Sequence, residues 1–322
     1  MRYRTFPRTG WQVSEVGYGM WGMGGWTGSD DEESLRSLHR AVELGCNFFD
    51  TAWAYGNGHS ETLLGSLLRS FRDTRLYVAT KVPPKNRKWP GRAATPASEV
   101  FPRDHILEYT ENSLANLGTT SLDLQQLHVW DDAWTADDGW MRAVEELKRS
   151  GTIKAFGISV NRWEPENVLR AIDTGLVDSV QVVYNIFDQS PEDVLFPACA
   201  RHQVAVIARV PFDEGSLAGT LTKDSRWPDG DWRNLYFHPE HLAETLRRVA
   251  KIEMLVPEGM DMAELALRFI LEDTRVTTTI PGMRKTRHVE RNLAASDGHP
   301  LPYRLHEALR VHRWDRKPNA TP

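Results

Sequence analysis

Four ionisable residues in the first half of the chain have the types and spacing needed for acid–base chemistry. Asp50 and Tyr55 lie in residues 47–61 (NFFDTAWAYGNGHSE), where an apolar run changes into a polar segment. Lys81 and His128 each lie near the end of a later apolar run. A buried lysine needs an anionic partner, which Asp50 supplies, and the lysine charge would stabilise a tyrosinate and lower the pKa of Tyr55 toward working pH. Such a tyrosine is a general acid, and a neutral His128 would orient a substrate oxygen toward it.

Each of the four residues also has a simpler interpretation when it is considered alone. The histidine fits a packing residue at a strand end, the aspartate a cap for the next turn, and the lysine a solvated strand terminus. Jointly they fit a catalytic group better, because an inward lysine beside an apolar strand requires the carboxylate that the preceding strand provides.

The elements that must position these residues alternate along the chain. Helical stripes, several of which end just before a glycine, separate short β-branched and aromatic runs. Alternating strands and helices predict a parallel sheet, and eight such units predict an α/β fold of the (β/α)₈ barrel type. An N-terminal β-hairpin at 3–6 and 11–14 would close the bottom of the barrel. The eight predicted strands are 16–20, 46–50, 77–82, 122–129, 153–160, 179–184, 204–210 and 276–281.

A barrel of this kind places its reacting groups at the carboxyl ends of its strands and in the loops that follow them. Asp50 closes the second predicted strand, Lys81 lies near the end of the third and His128 near the end of the fourth, while Tyr55 follows in the loop after Asp50. The four side chains are therefore expected on one face.

The residues Gly17, Gly19 and Gly22 match the spacing G-x-G-x-x-G of a dinucleotide-binding turn. In that turn the third glycine opens a helix, whereas the first plausible helix cap in this chain is Ser29 or Asp30. The glycines are better explained as a strand-to-loop turn that lets the backbone approach a ligand closely.

Composition narrows the class of protein. The chain has 322 residues, of which 40% are hydrophobic and 26% charged, and its net charge is −5. Scattered basic residues argue against a nucleic-acid or membrane partner, and no stretch has the continuous apolar length of a membrane span. Cys46 and Cys199 do not form a C-x-x-C pair. We expect one cytoplasmic domain over 1–322 with no metal site.

The motifs around these residues resemble the aldo-keto reductase family over almost the whole sequence. FFDTAWAYGNGHSE, ATKV and LQQLHVW carry the four candidate residues in the family's order, and GISV, QVVYN and TTTIPGMRKTRHVERN follow. The resemblance implies a (β/α)₈ barrel that binds NADP(H) and reduces carbonyl compounds by hydride transfer. It assigns the proton donor to Tyr55 within a tetrad of Asp50, Tyr55, Lys81 and His128.

The resemblance also implies a set of cofactor contacts. Ser159 and Gln181 would bind the nicotinamide carboxamide, and Trp21 would line the pocket near the reacting carbon. The adenosine end would be held by Gly282, Arg284, His288 and Asn292. A helix N-terminus with basic residues beside it suits a 2′-phosphate, which favours NADP(H).

Three positions depart from the usual family pattern. Asn161 stands two residues after Ser159 instead of adjacent to it, and strand alternation would let it replace the usual amide contact. Arg209 stands where many relatives carry a tyrosine that stacks on nicotinamide, and its charge would favour the reduced cofactor. Arg291 stands where an acidic adenine contact is frequent.

The longest irregular segments are 83–102, 130–139, 213–238 and the tail from 297, and the first three follow strands. Trp53, Trp89, Trp130 and Asp131 are candidates for the substrate pocket, with Asp132 as a further acceptor. An aromatic mouth with carboxylates suits a sugar or polyol, although aromatic carbonyls would also fit. Eight tryptophans are expected in loops at this mouth, namely Trp21, Trp26, Trp53, Trp89, Trp130, Trp134, Trp227 and Trp232.

Two other classes of protein are alternatives to a reductase. A metal-dependent barrel would need several carboxylates and histidines on neighbouring strand ends, where Lys81 stands instead. A nicotinamide-binding redox regulator on the same fold remains an alternative to the enzyme. Protein partners and oligomeric state are not readable from the sequence.

Overall fold

Eight parallel strands form the barrel in a computed structural model that describes residues 1–25 and 28–316. The strands follow one another in chain order around the sheet, as eight β/α units require. After a hairpin of β1 (Tyr3–Phe6) and β2 (Trp11–Ser14), they are β3 (Tyr18–Gly19), β4 (Phe48–Asp50), β5 (Tyr77–Val82), β6 (Leu122–Leu127), β7 (Ile153–Ser159), β8 (Ser179–Val183), β9 (Ala205–Arg209) and β10 (Val276–Thr279). The predicted α/β barrel is confirmed.

The first and last strands meet at a seam made of two isolated parallel bridges, Val16 to Thr279 and Gly19 to Gly282. The seam is tight: a Cβ atom on Gly19 would lie 2.5 Å from the backbone oxygen of Ile280, and one on Gly17 would lie 3.0 Å from the Oγ1 atom of Thr278 in β10. These two glycines are therefore required by the closure of the barrel, which explains their spacing without a dinucleotide-binding turn.

Helices cover the outside of the barrel. They are α1 (Asp31–Glu43), α2 (His59–Ser70), α3 (Ala97–Val100), α4 (Arg103–Leu117), α5 (Gly139–Arg149), α6 (Leu169–Asp173), α7 (Leu195–His202), α8 (Arg233–Tyr236), α9 (Pro239–Glu253), α10 (Met262–Glu272), α11 (Thr286–Ala294) and α12 (Tyr303–Arg310). Short 3₁₀ helices lie at Trp21–Met23, Asp132–Ala136, Ser190–Glu192 and Asp213–Ala218. Three segments expected to be irregular contain α-helices, since α3 lies within 83–102, α8 within 213–238 and α12 within the tail. None of the helices in the described part of the chain is long and apolar enough to span a membrane.

The N-termini of α1 and α2 are capped in different ways. Asp30 caps α1 by accepting a hydrogen bond from the backbone of Glu33 at 2.7 Å. The sequence before α2 predicts a cap at Ser60, whereas the N-cap in the structure is Gly58, with φ of 93°. The Ser60 hydroxyl instead accepts a hydrogen bond from Thr51 at 2.9 Å and donates one to the backbone of Met20. It therefore holds the loop after β4 against the barrel.

The hairpin closes the amino-terminal end of the barrel, as predicted. Phe6 and Val13 are fully buried and pack with Phe48 and Leu124 inside the barrel. The Arg4 guanidinium donates to the backbone oxygens of Leu271, Asp273 and Val276 and so ties the hairpin to α10 and β10. With this end filled by side chains, the open end is the carboxyl end of the strands, where the candidate residues lie.

Candidate active site

Asp50 and Lys81 form a buried ion pair at the carboxyl ends of two neighbouring strands, β4 and β5. Lys81 Nζ lies 2.5 Å from Asp50 Oδ1 and 2.7 Å from the backbone oxygen of Thr51. The two residues are 2% and 0% exposed. The pairing expected from the sequence is present, and its polar atoms are satisfied, as a buried pair of charges requires.

Two glutamines complete the surroundings of this carboxylate. Asp50 Oδ2 accepts hydrogen bonds from Gln181 Nε2 at 2.7 Å and from Gln126 Nε2 at 3.2 Å. Gln181 was expected at the cofactor, and it lies beside Ser159 in the strand register. Gln126 was missed. The available signal was the pair of consecutive glutamines inside an otherwise apolar strand, LDLQQL, because a buried amide needs a polar partner.

Tyr55 reaches this ion pair from the loop after β4. Its ring centroid lies 5.2 Å from Lys81 Nζ, and its ring meets that of His128 edge-on at 5.6 Å. Burial raises the pKa of Tyr55 above its usual value, and the charge of Lys81 and a hydrogen bond from it lower the pKa without reversing the shift. The expected lowering of the Tyr55 pKa toward working pH is therefore wrong: Lys81 acts in the expected direction, but desolvation outweighs it.

His128 follows β6 and is neutral. Burial, and then the charges of Lys81 and Arg209, hold its pKa well below the ordinary value. Its Nδ1 atom is buried and has no hydrogen-bond partner among the described residues. A neutral imidazole carries one N–H and can donate it to an oxygen in the pocket, which is the protonation state that the sequence argument required.

Asn161 does not lie where the sequence placed it. Its Oδ1 atom accepts a hydrogen bond from the backbone of Gly91, and its Nδ2 atom has three acceptors, the backbone oxygens of Gly91 and Trp130 and the carboxylate of Glu164. An amide nitrogen has two hydrogens to donate. The expectation that Asn161 contacts the nicotinamide carboxamide is therefore not supported, because loop contacts use these donors.

Arg209 ends β9 and points toward the same pocket. Its Nη2 atom donates to the backbone oxygen of Val160 at 3.0 Å, while its buried Nε atom has no partner in the described part of the chain. Burial and the neighbouring Arg162 lower the pKa of the Arg209 guanidinium to about 10. The group therefore remains a cation at neutral pH, close enough to Tyr55 and His128 to influence the pKa of each.

The residues expected at the adenosine end cluster around the seam. Gly282 pairs with Gly19 across it, and Arg284 Nη1 lies 3.4 Å from the backbone oxygen of Gly22. Trp21, 38% exposed, begins the 3₁₀ helix after β3. The first and last barrel units therefore contribute to one surface.

Helix α11 and the two residues before it add positive charge to this surface. Burial and four surrounding cations, Arg284, Lys285, Arg287 and Arg291, lower the pKa of His288. The buried Asn292 Nδ2 atom has no hydrogen-bond partner within residues 1–25 and 28–316. A phosphate and a further acceptor would satisfy both features. Arg291 itself lies 3.8 Å from Asp261.

The expected substrate pocket is only partly supported. Trp89 is 45% exposed and stands perpendicular to the His128 ring at 5.9 Å. Trp53 packs edge-on against Tyr109 at 4.8 Å. Trp130, in contrast, is fully buried and packs against two other tryptophans, so its assignment to the pocket is wrong.

Asp131 is also a loop anchor and not an open acceptor. Its two carboxylate oxygens accept backbone hydrogen bonds from Ala93 and Ala133 at 2.8 and 3.0 Å. Asp132 is used in the same way by the backbone of Arg170 and Ala171. The carboxylates that suggested a sugar therefore hold loops together.

The aromatic mouth is smaller than the count of tryptophans suggested. Trp134 is buried, and Trp227 and Trp232 pack into a separate cluster with Tyr236 and Phe237. Trp26 lies outside the described residues. Trp89 is the tryptophan that the structure brings against the His128 ring.

Comparison with known proteins identifies the family. The aldo/keto reductase family pattern matches residues 15–310, and the chain belongs to this family. The aldo-keto reductase YhdN of Bacillus subtilis is 28% identical over 297 residues, covering 90% of this chain and 87% of that protein. A probable voltage-gated potassium channel subunit beta of Oryza sativa subsp. japonica is 28% identical over 316 residues, covering 94% and 93%. A solved aldo/keto reductase from Klebsiella pneumoniae in complex with NADP and acetate has 25% identity and a TM-score of 0.69, covering 100% and 99%.

Proposed function

We propose that the protein reduces an aldehyde or ketone with NADPH and that Tyr55 donates the proton. The observation that carries this proposal is the arrangement of Tyr55 over Lys81 and beside a neutral His128, with Lys81 held by Asp50. The reduced nicotinamide supplies the hydride in this chemistry. Family membership supports the same reaction class.

The protein's own groups account for the proton transfer. A neutral His128 donates a hydrogen bond to the substrate carbonyl oxygen and fixes its position next to the Tyr55 hydroxyl. Tyr55 then gives its proton to that oxygen as negative charge develops there. Lys81 stabilises the resulting tyrosinate, and Asp50 keeps Lys81 in place.

The proposed cofactor sites fit the residues present. Ser159 and Gln181 are register partners on adjacent strands. The Gln181 amide nitrogen donates to Asp50, so the groups proposed for the carboxamide are the Ser159 hydroxyl and Gln181 Oε1. The cations around α11 suit a 2′-phosphate, and Asn292 Nδ2, which has no hydrogen-bond partner in the described part of the chain, suits an adenine acceptor. The NADP complex of the Klebsiella structure supports the same choice of cofactor.

For the substrate we propose a carbonyl compound with an aromatic or apolar part that lies against Trp89. A sugar or other hydroxylated carbonyl was the other expectation from the sequence. It loses support because Asp131 and Asp132 are occupied by backbone amides. Among the described tryptophans, Trp89 is the exposed one whose ring meets that of His128.

A direct test follows the absorbance of NADPH during incubation with aldoses, aromatic aldehydes and dicarbonyls. We expect the wild-type protein to oxidise NADPH with aromatic carbonyls, and Tyr55→Phe to bind NADPH without oxidising it. The similarity to a potassium channel subunit favours a second candidate, a nicotinamide-binding redox regulator. Tight NADPH binding without turnover of any carbonyl in the panel would support that second function against the first.

A further inference from the structure

The Asn161 side chain joins three loops on the carboxyl face of the barrel. It follows β7, is 5% exposed, and pairs with both the N–H and the C=O of Gly91, at 3.2 and 3.0 Å. It also donates to the backbone oxygen of Trp130 at 2.8 Å. One buried amide therefore connects the loops that follow β5 and β6 to the end of β7.

These two loop contacts lie next to the walls of the pocket. Gly91 is two residues beyond Trp89, and Trp130 is two residues beyond His128. The rings of Trp89 and His128 are perpendicular, at 87°, with their centroids 5.9 Å apart. Asn161 thus fixes the two chain segments whose side chains face each other across this part of the pocket.

Other contacts hold the loop after β5 further from Trp89. Asp131 accepts from the backbone of Ala93, and Trp134 donates to the backbone oxygen of Thr95. Gly91 is also confined from the opposite side, because a Cβ atom there would lie 2.7 Å from the Trp134 ring. On the C-terminal side of Trp89 the Asn161 contact is the nearest of these anchors in sequence. On the N-terminal side Arg87, two residues before Trp89, donates to the Tyr109 hydroxyl at 2.9 Å.

We propose that Asn161 is a positioning residue that sets the spacing between Trp89 and His128 and so determines which carbonyl substrates fit. This inference rests on the proposed function, since it concerns the substrate of the same site. It predicts a selectivity for aryl carbonyls, whose flat ring is held by the Trp89 indole, over short aliphatic aldehydes that do not reach it.

The test compares Asn161→Ala with Ser159→Ala. For Asn161→Ala we expect kcat/KM for an aryl aldehyde to fall on the order of tenfold, since small displacements of pocket groups are costly. The Kd for NADPH should stay within about twofold, whereas Ser159→Ala should raise it. A matched control is Asn167→Ala, because Asn167 also binds the Trp130 oxygen and Glu164 but does not contact Gly91.

A double-mutant cycle then separates positioning from general stabilisation. If Asn161 acts through Trp89, adding Asn161→Ala to Trp89→Ala should cause little further loss of kcat/KM. Gly91→Ala, which displaces the same segment and leaves Asn161 intact, should reproduce the loss of selectivity. Additive effects in the cycle, or a large rise in the NADPH Kd of Asn161→Ala, would overturn the proposal.

Hydrogen exchange provides a readout that does not depend on turnover. Backbone amides in residues 85–95 should exchange faster in Asn161→Ala than in Ser159→Ala or wild type, whether or not any carbonyl is reduced. Unchanged protection of this segment would overturn the positioning role. Absence of turnover by wild type would instead contradict the proposed function, so the two failures are distinguishable.

Discussion

Gln181 donates its side-chain amide to Asp50 Oδ2 at 2.7 Å, on the carboxylate oxygen that Lys81 does not contact. With Lys81 and two glutamines around it, the buried Asp50 carboxylate has both oxygens satisfied. This arrangement makes the pair sensitive to the loss of either charge, because the remaining charge would be left buried and unpaired.

Asp50→Asn should destabilise the protein by about 3–5 kcal/mol, since it leaves the Lys81 ammonium without an anionic partner. The free energy of unfolding is measured by chemical denaturation. Glu32→Gln is the matched control, because the Glu32–Arg36 pair is 87% and 64% exposed at its side chains and should contribute about 0–1 kcal/mol. Equal losses in the two variants would contradict the structural account.

The pH dependence of reduction should follow the protonation of Tyr55. The acid form exists below the pKa, and this pKa is raised above its usual value near 10 by burial. The contribution of Tyr55 to kcat/KM should therefore persist through neutral pH and be lost only as the pH rises through that raised value. Lys81 lowers this pKa, so Lys81→Met should move the alkaline limb to higher pH and reduce kcat about 10²–10⁴-fold. A limb that moves to lower pH would refute the assigned role of Lys81.

Arg209 should make the protein prefer NADPH to NADP⁺. Its guanidinium remains charged, since its pKa is lowered only to about 10, and a cation beside a positively charged nicotinamide is repulsive. The ratio of the Kd for NADP⁺ to the Kd for NADPH, measured by calorimetry, should be smaller in Arg209→Tyr than in wild type. Similar affinities in wild type, or a ratio that does not change in the variant, would count against this role.

The two glycines Gly19 and Gly22 should respond differently to alanine. In Gly19→Ala the new Cβ would meet the Ile280 backbone oxygen at 2.5 Å, so the seam must open and the melting temperature should fall. In Gly22→Ala the nearest atom, Arg284 Cδ, lies at an ordinary 3.5 Å, and stability should change little. If both variants were equally destabilised, closure of the barrel would not explain the glycine spacing.

Repetition along the chain made the barrel predictable. Eight apolar runs separated by helical stripes are compatible with few other folds. Because consecutive strands are parallel neighbours in such a barrel, the carboxyl ends of β4 and β5 meet and bring Asp50 and Lys81 together. The four candidate residues Asp50, Tyr55, Lys81 and His128 could be placed on one face for the same reason, because each lies at a strand end or just after it.

The loops were less predictable, since their contacts join residues far apart in sequence. Asn161 and Gly91 are 70 positions apart, and no local pattern indicates that their loops meet. The same limitation explains the wrong assignments of Trp130 and Asp131, whose burial and partners depend on loop paths. The pKa of Tyr55 required the structure because desolvation is a property of the folded pocket.

The seam between β3 and β10 has a mechanical consequence. Five registered residue pairs join β6 to β7, whereas two isolated bridges join the first strand to the last. Trp21 and Arg284 lie on opposite sides of this short seam. A dinucleotide that contacts residues on both sides of the seam would hold the first and last strands together. Binding of the cofactor would then also stabilise the closed barrel.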